Sequence, residues 1–223
     1  MLKRKCNTPE VFNADYFENG VDKKISCYKD YHWMPDRSFS EAFAFIGNTC
    51  VTRTDRVVDF GCAKGFFVRA MRELEFNCFG VDISTYASSQ ATQSVSGRLM
   101  KMPDILDTRL TFDYGFCKDV LEHSNDILTT LSELRSLAPK WLLVVPLGDG
   151  RHYRIPEYEK DKTHLIRQDE LWWVSRFNIV GFDVVWQSYR VPGLKDKWYD
   201  AHKEGNLFVK LQYRKEPCKQ LTI

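Results

Sequence analysis

The chain has 223 residues, enough at roughly 150 residues per domain for one domain with an extension and a core that needs no covalent staples. Hydrophobic residues make up 43% and charged residues 28%, which excludes a disordered, collagen-like or low-complexity chain. Lysine and arginine number 32 against 30 acids, a net charge of +2 that leaves no general electrostatic footprint for nucleic acid or an anionic membrane.

Residues 1–37 are polar and aromatic, with Tyr16, Phe17, Tyr28, Tyr31 and Trp33 set among charges; they read as an N-terminal extension lying on the domain formed by 38–223. Ser38 and Glu41 have capping-box spacing and predict a short helix ending at Gly47. DRVVDFG is a strand ending in a turn, and FFVRAMREL is a helix with Phe67, Ala70, Met71 and Leu74 on one face. NCFGVDIS is a second strand ending at Asp82, followed by a helix from Tyr86 to Ser94. RLMKM is a third strand and FDYGFCKDV a fourth. A helix through NDILTTLSELRSL leads to the fifth strand, KWLLVVPL. Residues 148–167 are long, polar and charged, an ordered loop or insert. QDELWWVSRFN is a helix, with Trp172 and Trp173 packing it onto the sheet or, alternatively, one of them facing the acceptor to stack on a sugar. GFDVVWQSYRV and NLFVKLQYR are the last strands, with no helix predicted between them. Alternating strands and helices predict an α/β fold: an open, mainly parallel sheet covered on both faces, with the final strands antiparallel at one edge. Such a sheet binds its ligand outside the carboxyl ends of the strands.

The longest strongly apolar run, Trp141 to Leu147, is far short of the ~20 residues of a membrane helix. MLKRKCNTPEVF has no apolar stretch behind it, so no secretory signal is read. Seven cysteines without a CxxC pair indicate neither a zinc ribbon nor a disulfide framework, and a cytoplasmic location is expected.

Chemistry concentrates in VVDFGCAKGFFVRA, from Val57 to Ala70. A strand ends in Asp59, Gly61 lets the chain turn, and a helix starts after Gly65. The amides of Cys62, Ala63 and Lys64 are expected to face a ligand at the helix N-terminus. The spacing is G-x-x-x-G, not the G-x-G-x-x-G of a pyrophosphate cradle. Asp82, 23 residues after Asp59, is placed to accept both hydroxyls of a ribose. Two acids without a phosphate cradle ask for a ribose-bearing cation, and S-adenosylmethionine fits that description.

At these residues the chain resembles the class I S-adenosylmethionine-dependent methyltransferases, in particular their ubiquinone-biosynthesis, small-molecule and glycan members. VVDFGCAKGFF is similar to the family's first motif, GVDIS to its second, FDYGFCKDVLEH to its fourth-strand motif, and LSELRSLAPKWLLVVP to the helix and strand that follow. NADYFENG and CYKDYHW resemble the aromatic lead-in of glycan-assembly enzymes. The resemblance implies a Rossmann-like seven-stranded sheet and S-adenosylmethionine as cofactor, with S-adenosylhomocysteine as product. It places Asp59, Gly61, Cys62, Ala63 and Gly65 along the methionine part. Asp82 goes to the ribose, Ile83 to the adenine, and Cys117 and Asp119 border the sulfonium and acceptor. Three positions depart from the pattern. Ala63 replaces a glycine, which a negative φ would tolerate. No acid ends the third strand, where Met100, Lys101 and Asp104 stand. Lys140 and Trp141 replace a Gly-Gly pair.

Methyl transfer requires positioning of the nucleophile and, for an alcohol, removal of its proton. The candidates are His123, just past the fourth strand, Asp119 beside it, and His164, placed to close over the pocket; His32 and His152 read as surface residues. The bland alternatives are a satisfied first-turn histidine for His123, a loop-fixing acid for Asp119 and a helix cap for Glu122. The insert's basic residues read as a solvated loop or a small mouth for an anionic acceptor. No metal-ligand cluster is visible from spacing, although some glycan methyltransferases use a divalent ion. The expected reaction is O-methylation of a sugar hydroxyl in a glycan or glycosylated precursor. The alternatives are a quinone-like or phenolic metabolite and a non-catalytic cofactor-binding module. An apolar lining from the extension would favour the small aromatic acceptor, and an open polar groove the glycan. No nucleic-acid partner is expected.

Overall fold

The computed structural model describes residues 7–95, 97–102, 104–108 and 110–214, so Cys6 and Cys218 lie outside the described residues. Asn13 accepts hydrogen bonds from the Asp15 and Tyr16 amides and starts α1 (Ala14–Glu18), which leads into α2 (Gly20–Lys23). Tyr16, Phe17, Tyr28 and Tyr31 of this stretch pack with Ala87 and Tyr86 on the domain. Helix α3 (Pro35–Asn48) starts three residues ahead of the expected cap. Pro35 fixes its first turn, and Ser38 lies inside the helix with its amide on the Met34 carbonyl, so the capping box does not form.

Strand β1 (Arg56–Phe60), helix α4 (Phe66–Glu73) and strand β2 (Asn77–Asp82) follow as predicted. Ser84 caps α5 (Thr85–Ser89), which ends before Ser94 and gives way to a 3-10 turn at Gln93–Val95. Then come β3 (Leu99–Lys101), α6 (Asp104–Asp107), β4 (Tyr114–Lys118), α7 (Ile127–Leu137, capped by Asp126) and β5 (Lys140–Pro146). Helix α8 (Glu170–Ile179) is capped by Asp169 and precedes β6 (Phe182–Ser188). The link to β7 (Asn206–Tyr213) holds a helix the sequence reading missed, α9 (Asp196–Ala201). Asp196 there accepts from the Gly193 amide, and the His202 amide closes the helix on the Trp198 carbonyl.

The seven strands form one sheet in the order β3-β2-β1-β4-β5-β7-β6, the Rossmann-like seven-stranded sheet that the resemblance implies. All neighbours are parallel except β7, which runs against both β5 and β6. Alternate residues serve opposite faces. Phe116, Leu142 and Val144 join Phe45 and Phe67 on one side, while Cys117, Leu143 and Val145 join Trp173 and Phe177 on the other. Each such large side chain contributes about 1.5–3 kcal/mol on burial, well above the ~0–1 kcal/mol of a surface ion pair. Trp141 stands opposite Gly115 in the β4–β5 ladder. A Cβ on Gly115 would lie 2.3 Å from its indole, so the glycine is what lets the tryptophan replace a small residue. The strand order reverses beside β1, and the ends of β1, β2 and β4 open there into a crevice.

Candidate active site

The turn after β1 is built against β2 and β4. Gly61 has φ +78°, and a Cβ there would lie 2.3 Å from Val120 Cγ2. The Gly61 and Cys62 amides both donate to the Val81 carbonyl, at 2.7 and 3.1 Å. The Ala63 amide donates to Asp82 Oδ2 at 2.7 Å, and the Ser84 amide to Oδ1 at 2.7 Å. The amides of Cys62 and Ala63 therefore hold the turn to β2 instead of facing a ligand. Ala63 has φ +49°, not the negative angle expected of a non-glycine residue. That left-handed conformation costs roughly 1–2 kcal/mol, and the bond to Asp82 offsets it.

Two adjoining cavities open on this turn. The smaller, about 80 Å³, is lined by Asp59, Gly61, Cys62 and Ala63 together with Arg37, Glu41 and Lys118. The larger, about 500 Å³, is lined by Gly61, Ala63, Asp82, Ile83, Met102, Val120 and His123, and by Phe12, Tyr16, Phe17 and Tyr28 of the N-terminal segment. Its volume lies in the range of small-molecule sites. Asp119 borders both. Gly65 and Cys117 line neither. Cys117 alternates into the core, 1% exposed, where burial pushes its thiol far up. Met102, not Asp104, faces the larger cavity from the β3 side.

Besides Asp59 and Asp119, the smaller cavity holds three charges that the sequence did not assign to the site. Arg37 Nε pairs with Glu41 Oε1 at 3.1 Å, and Lys118 Nζ lies 3.3 Å from the same oxygen. The signal available was a lysine closing an otherwise apolar strand. The Asp59 carboxylate has no hydrogen-bond partner among the described residues; burial and the Glu41 charge push its pKa well up, and Lys118 opposes them. Burial also raises Asp82, against the bonds it accepts from the Ser84 and Ala63 amides. Burial pushes Asp119 up as well, but the ammonium groups of Lys195 and Lys118 outweigh it and hold the carboxyl well below its ordinary value.

His123 and His164, 41 residues apart in sequence, come together with ring centroids 4.7 Å apart. The 148–167 segment folds back through a 3-10 turn (Pro156–Lys160), and the Leu165 and Ile166 amides donate to the Glu122 carbonyl. His123 Nδ1 lies 2.8 Å from Thr163 Oγ1, whose own hydrogen goes to Asp161 Oδ1 at 2.6 Å. Tyr16 donates its hydroxyl to Asp161 Oδ2. Asn7 donates to the carbonyls of His123 and Thr163, tying the N-terminal segment to both. Burial and the His164 ring push His123 down to about 4, and burial lowers His164 too, so both rings are neutral near pH 7. Glu122 is 1% exposed and raised far above its ordinary value by burial and by Asp119. Trp172 and Trp173 pack with the core, and the insert's Arg154 and Arg167 pair with Glu170 and Glu159. His152 is exposed, as expected, while His32 borders the smaller cavity.

A family profile of methyltransferase domains matches residues 32–185. No curated protein matches the chain in sequence. Among solved structures, a putative methyltransferase from Haloferax volcanii, determined in complex with the Trm112 methyltransferase activator, superposes with a TM-score of 0.61 at 17% identity, over 82% of this chain and 92% of its own. A SAM-dependent methyltransferase from Archaeoglobus fulgidus gives 0.59 at 15% identity, over 80% and 94%. CalO1, a methyltransferase of calicheamicin biosynthesis with S-adenosylhomocysteine bound, gives 0.54 at 15%, over 79% and 54%.

Proposed function

The chain belongs to the methyltransferase-domain family and is an S-adenosylmethionine-dependent methyltransferase, and from that premise we propose that it methylates a hydroxyl of a small aromatic, phenol-like acceptor. The observation that carries the cofactor site is the placing of Asp59 and Asp82 at neighbouring strand ends, on either side of a glycine turn that opens into two joined cavities. In the smaller one Asp59 takes the cofactor's ammonium and Arg37 its carboxylate. In the larger, Asp82 accepts from the ribose hydroxyls, and Ile83 and Val120 pack on the adenine. The N-terminal segment supplies Phe12, Tyr16 and Phe17 to the remaining wall, and that aromatic lining favours a flat acceptor over a glycan.

His123 faces this space with Nδ1 committed to Thr163, so Nε2 carries the free lone pair and orients the acceptor hydroxyl. The acceptor oxygen forms a bond to the methyl carbon in line with the breaking carbon–sulfur bond. The bonding pair stays on sulfur, giving S-adenosylhomocysteine, and the hydroxyl proton leaves to solvent. Asp119 and His164 position these groups, Asp119 through Lys195 and His164 against His123.

A sugar hydroxyl is the second reading, favoured by the polar rim of Ser124, Asn125, Thr129 and Thr130. A tritiated-methyl transfer screen over phenols, sugars and nucleotide sugars separates the two. Phenols labelled well above sugars support the first reading, and the reverse order supports the second. Cofactor binding with no labelled product under any acceptor would leave a non-catalytic module. In an active pair, His123→Ala is expected to lower turnover at least tenfold while leaving cofactor affinity within about twofold.

A further inference from the structure

Glu122, His123 and His164 each bring one ligand-type atom within 4.8 Å of the others, with Glu122 and His164 buried. Their surroundings are arranged for donation to a cation. The Thr163 hydroxyl spends its hydrogen on Asp161, so it accepts from His123 Nδ1–H and leaves Nε2 with a lone pair. The Tyr158 carbonyl lies 2.8 Å from His164 Nδ1, which fixes the same tautomer on the second ring. His164 Nε2 then stands 3.9 Å from Glu122 Oε1 and 4.0 Å from Asp161 Oδ2, too far for a hydrogen bond to either. Glu122 Oε2 is buried without any hydrogen-bond partner among the described residues. A carboxyl oxygen left so in a protein interior is unfavourable unless a proton or a cation satisfies it. Both histidines thus have the backing that metal-bound imidazoles have: one nitrogen held by an outer partner, the other bare.

We propose that Glu122, His123 and His164 bind a divalent first-row transition ion, so that the His123 Nε2 lone pair holds the ion and orients the acceptor hydroxyl through it, at open positions that face the larger cavity. Ligands at about 2.1 Å from one ion stand at most about 4.2 Å apart, so the Glu122–His164 spacing of 3.9 Å already fits, and the His123 separations, within 4.8 Å, need small adjustment at most. Two imidazoles and one carboxylate suit Zn²⁺, Mn²⁺ or Fe²⁺ better than Mg²⁺ or Ca²⁺, which prefer all-oxygen sets. Three protein ligands leave positions open, and His123 lines the cavity, so those positions are reached from the acceptor side. A bound ion lowers the pKa of a coordinated hydroxyl, which readies an oxygen for attack without a free base. The ion's place rests on the cluster alone; its chemical use rests on the methyl-transfer reading above.

The test uses the full chain, stripped with a chelator and titrated calorimetrically with Zn²⁺ and with Mn²⁺, with Mg²⁺ for comparison. One transition ion per chain is expected, bound at least tenfold more tightly than Mg²⁺. Glu122→Gln and His164→Gln should each weaken Zn²⁺ binding at least tenfold. Thr163→Val should weaken it about tenfold through the lost outer bond. His152→Gln, at an exposed loop histidine, should leave it unchanged. If Glu122→Gln fails to fold, broadening of the His123 and His164 ring signals by Mn²⁺ in the wild type replaces it. Absence of saturable binding, affinity indifferent to all three site variants, or rings unbroadened by Mn²⁺ would overturn the proposal. Titration of the metal-free chain with S-adenosylmethionine keeps the two readings apart. Cofactor binding without ion binding removes the metal site alone, and ion binding without cofactor binding removes the cofactor site alone.

Discussion

The two halves of the crevice are built differently. The cofactor half is a single stretch of chain: β1, its glycine turn, α4 and β2, closed by bonds such as Ala63 to Asp82, 19 residues apart. The acceptor half is assembled from pieces that sequence keeps far apart. Asn7 reaches Thr163 across 156 residues, Tyr16 reaches Asp161 across 145, and Lys195 reaches Asp119 across 76. Closing long loops is entropically demanding, so such a half depends on a few strong buried ties. A local half, by contrast, is expected to lose its ligand before it loses its shape.

The first way to break that comparison is Lys195→Met. The Lys195 ammonium bonds the Asp119 carboxylate and lies 2.9 Å from Asn206 Oδ1. Without it, this partly buried carboxylate keeps Lys118 at 3.4 Å and the more distant Arg37 charge. The expected loss of stability is about 3 kcal/mol at pH 7, measured by chemical denaturation. The pH dependence has a definite sign. The Asp119 pKa is lowered on folding, so its stabilisation is present above the ordinary carboxylate value and is lost as pH falls through the lower folded one. The gap between variant and wild type should therefore narrow below about pH 4. Equal denaturation midpoints at pH 7 would mean that the acceptor half is not held by this pair.

Asp82→Ala sharpens the comparison from the other side. The carboxylate accepts from the Ala63 and Ser84 amides and is proposed to accept from the ribose. Charge-assisted bonds contribute about 1.5–3 kcal/mol each, so losing both ribose bonds should weaken S-adenosylmethionine at least ~100-fold by calorimetry. The fold should lose less than Lys195→Met does, because Ala63 borders the cavity and water can replace the acceptor at its amide. Unchanged cofactor affinity would move the ribose elsewhere in the crevice.

This contrast also explains what could be read from the sequence. β1, α4, β2, β4, α7 and β5 are set by apolar periodicity and local caps, and their placing needs no partner. The acidic strand ends followed from those elements. Arg37, Glu41 and Lys118 were missed because a charge near a strand or helix end looks solvated until another segment covers it. The pairing of His123 with His164, and the roles of Asp161 and Thr163, depend on how the 148–167 segment folds back, which no local pattern encodes. The left-handed Ala63 escaped for a related reason. Its conformation is stabilised by Asp82 on the next strand, not by its own side chain.

The smallest effect concerns the seam between the two halves. Lys64, on the glycine turn, holds Glu18 Oε1 at 2.6 Å and the Tyr31 carbonyl at 2.6 Å, and so ties the N-terminal segment to the cofactor half. Its aliphatic stem is buried, and its side chain is 11% exposed against 26% for Glu18. Lys64→Met keeps the stem and removes the charge, with an expected loss of about 1 kcal/mol. That loss should be felt locally. The segment packs through a small aromatic cluster separate from the two main cores, so it can open without unfolding the sheet. Amide exchange over residues 14–33 should therefore speed up about fivefold, the factor that 1 kcal/mol gives, while exchange in β1 and β4 stays at wild-type rates. Uniform acceleration across the sheet would show that the segment unfolds only with the whole domain, and the N-terminal wall of the larger cavity would then be a fixed part of it, not a cover that opens.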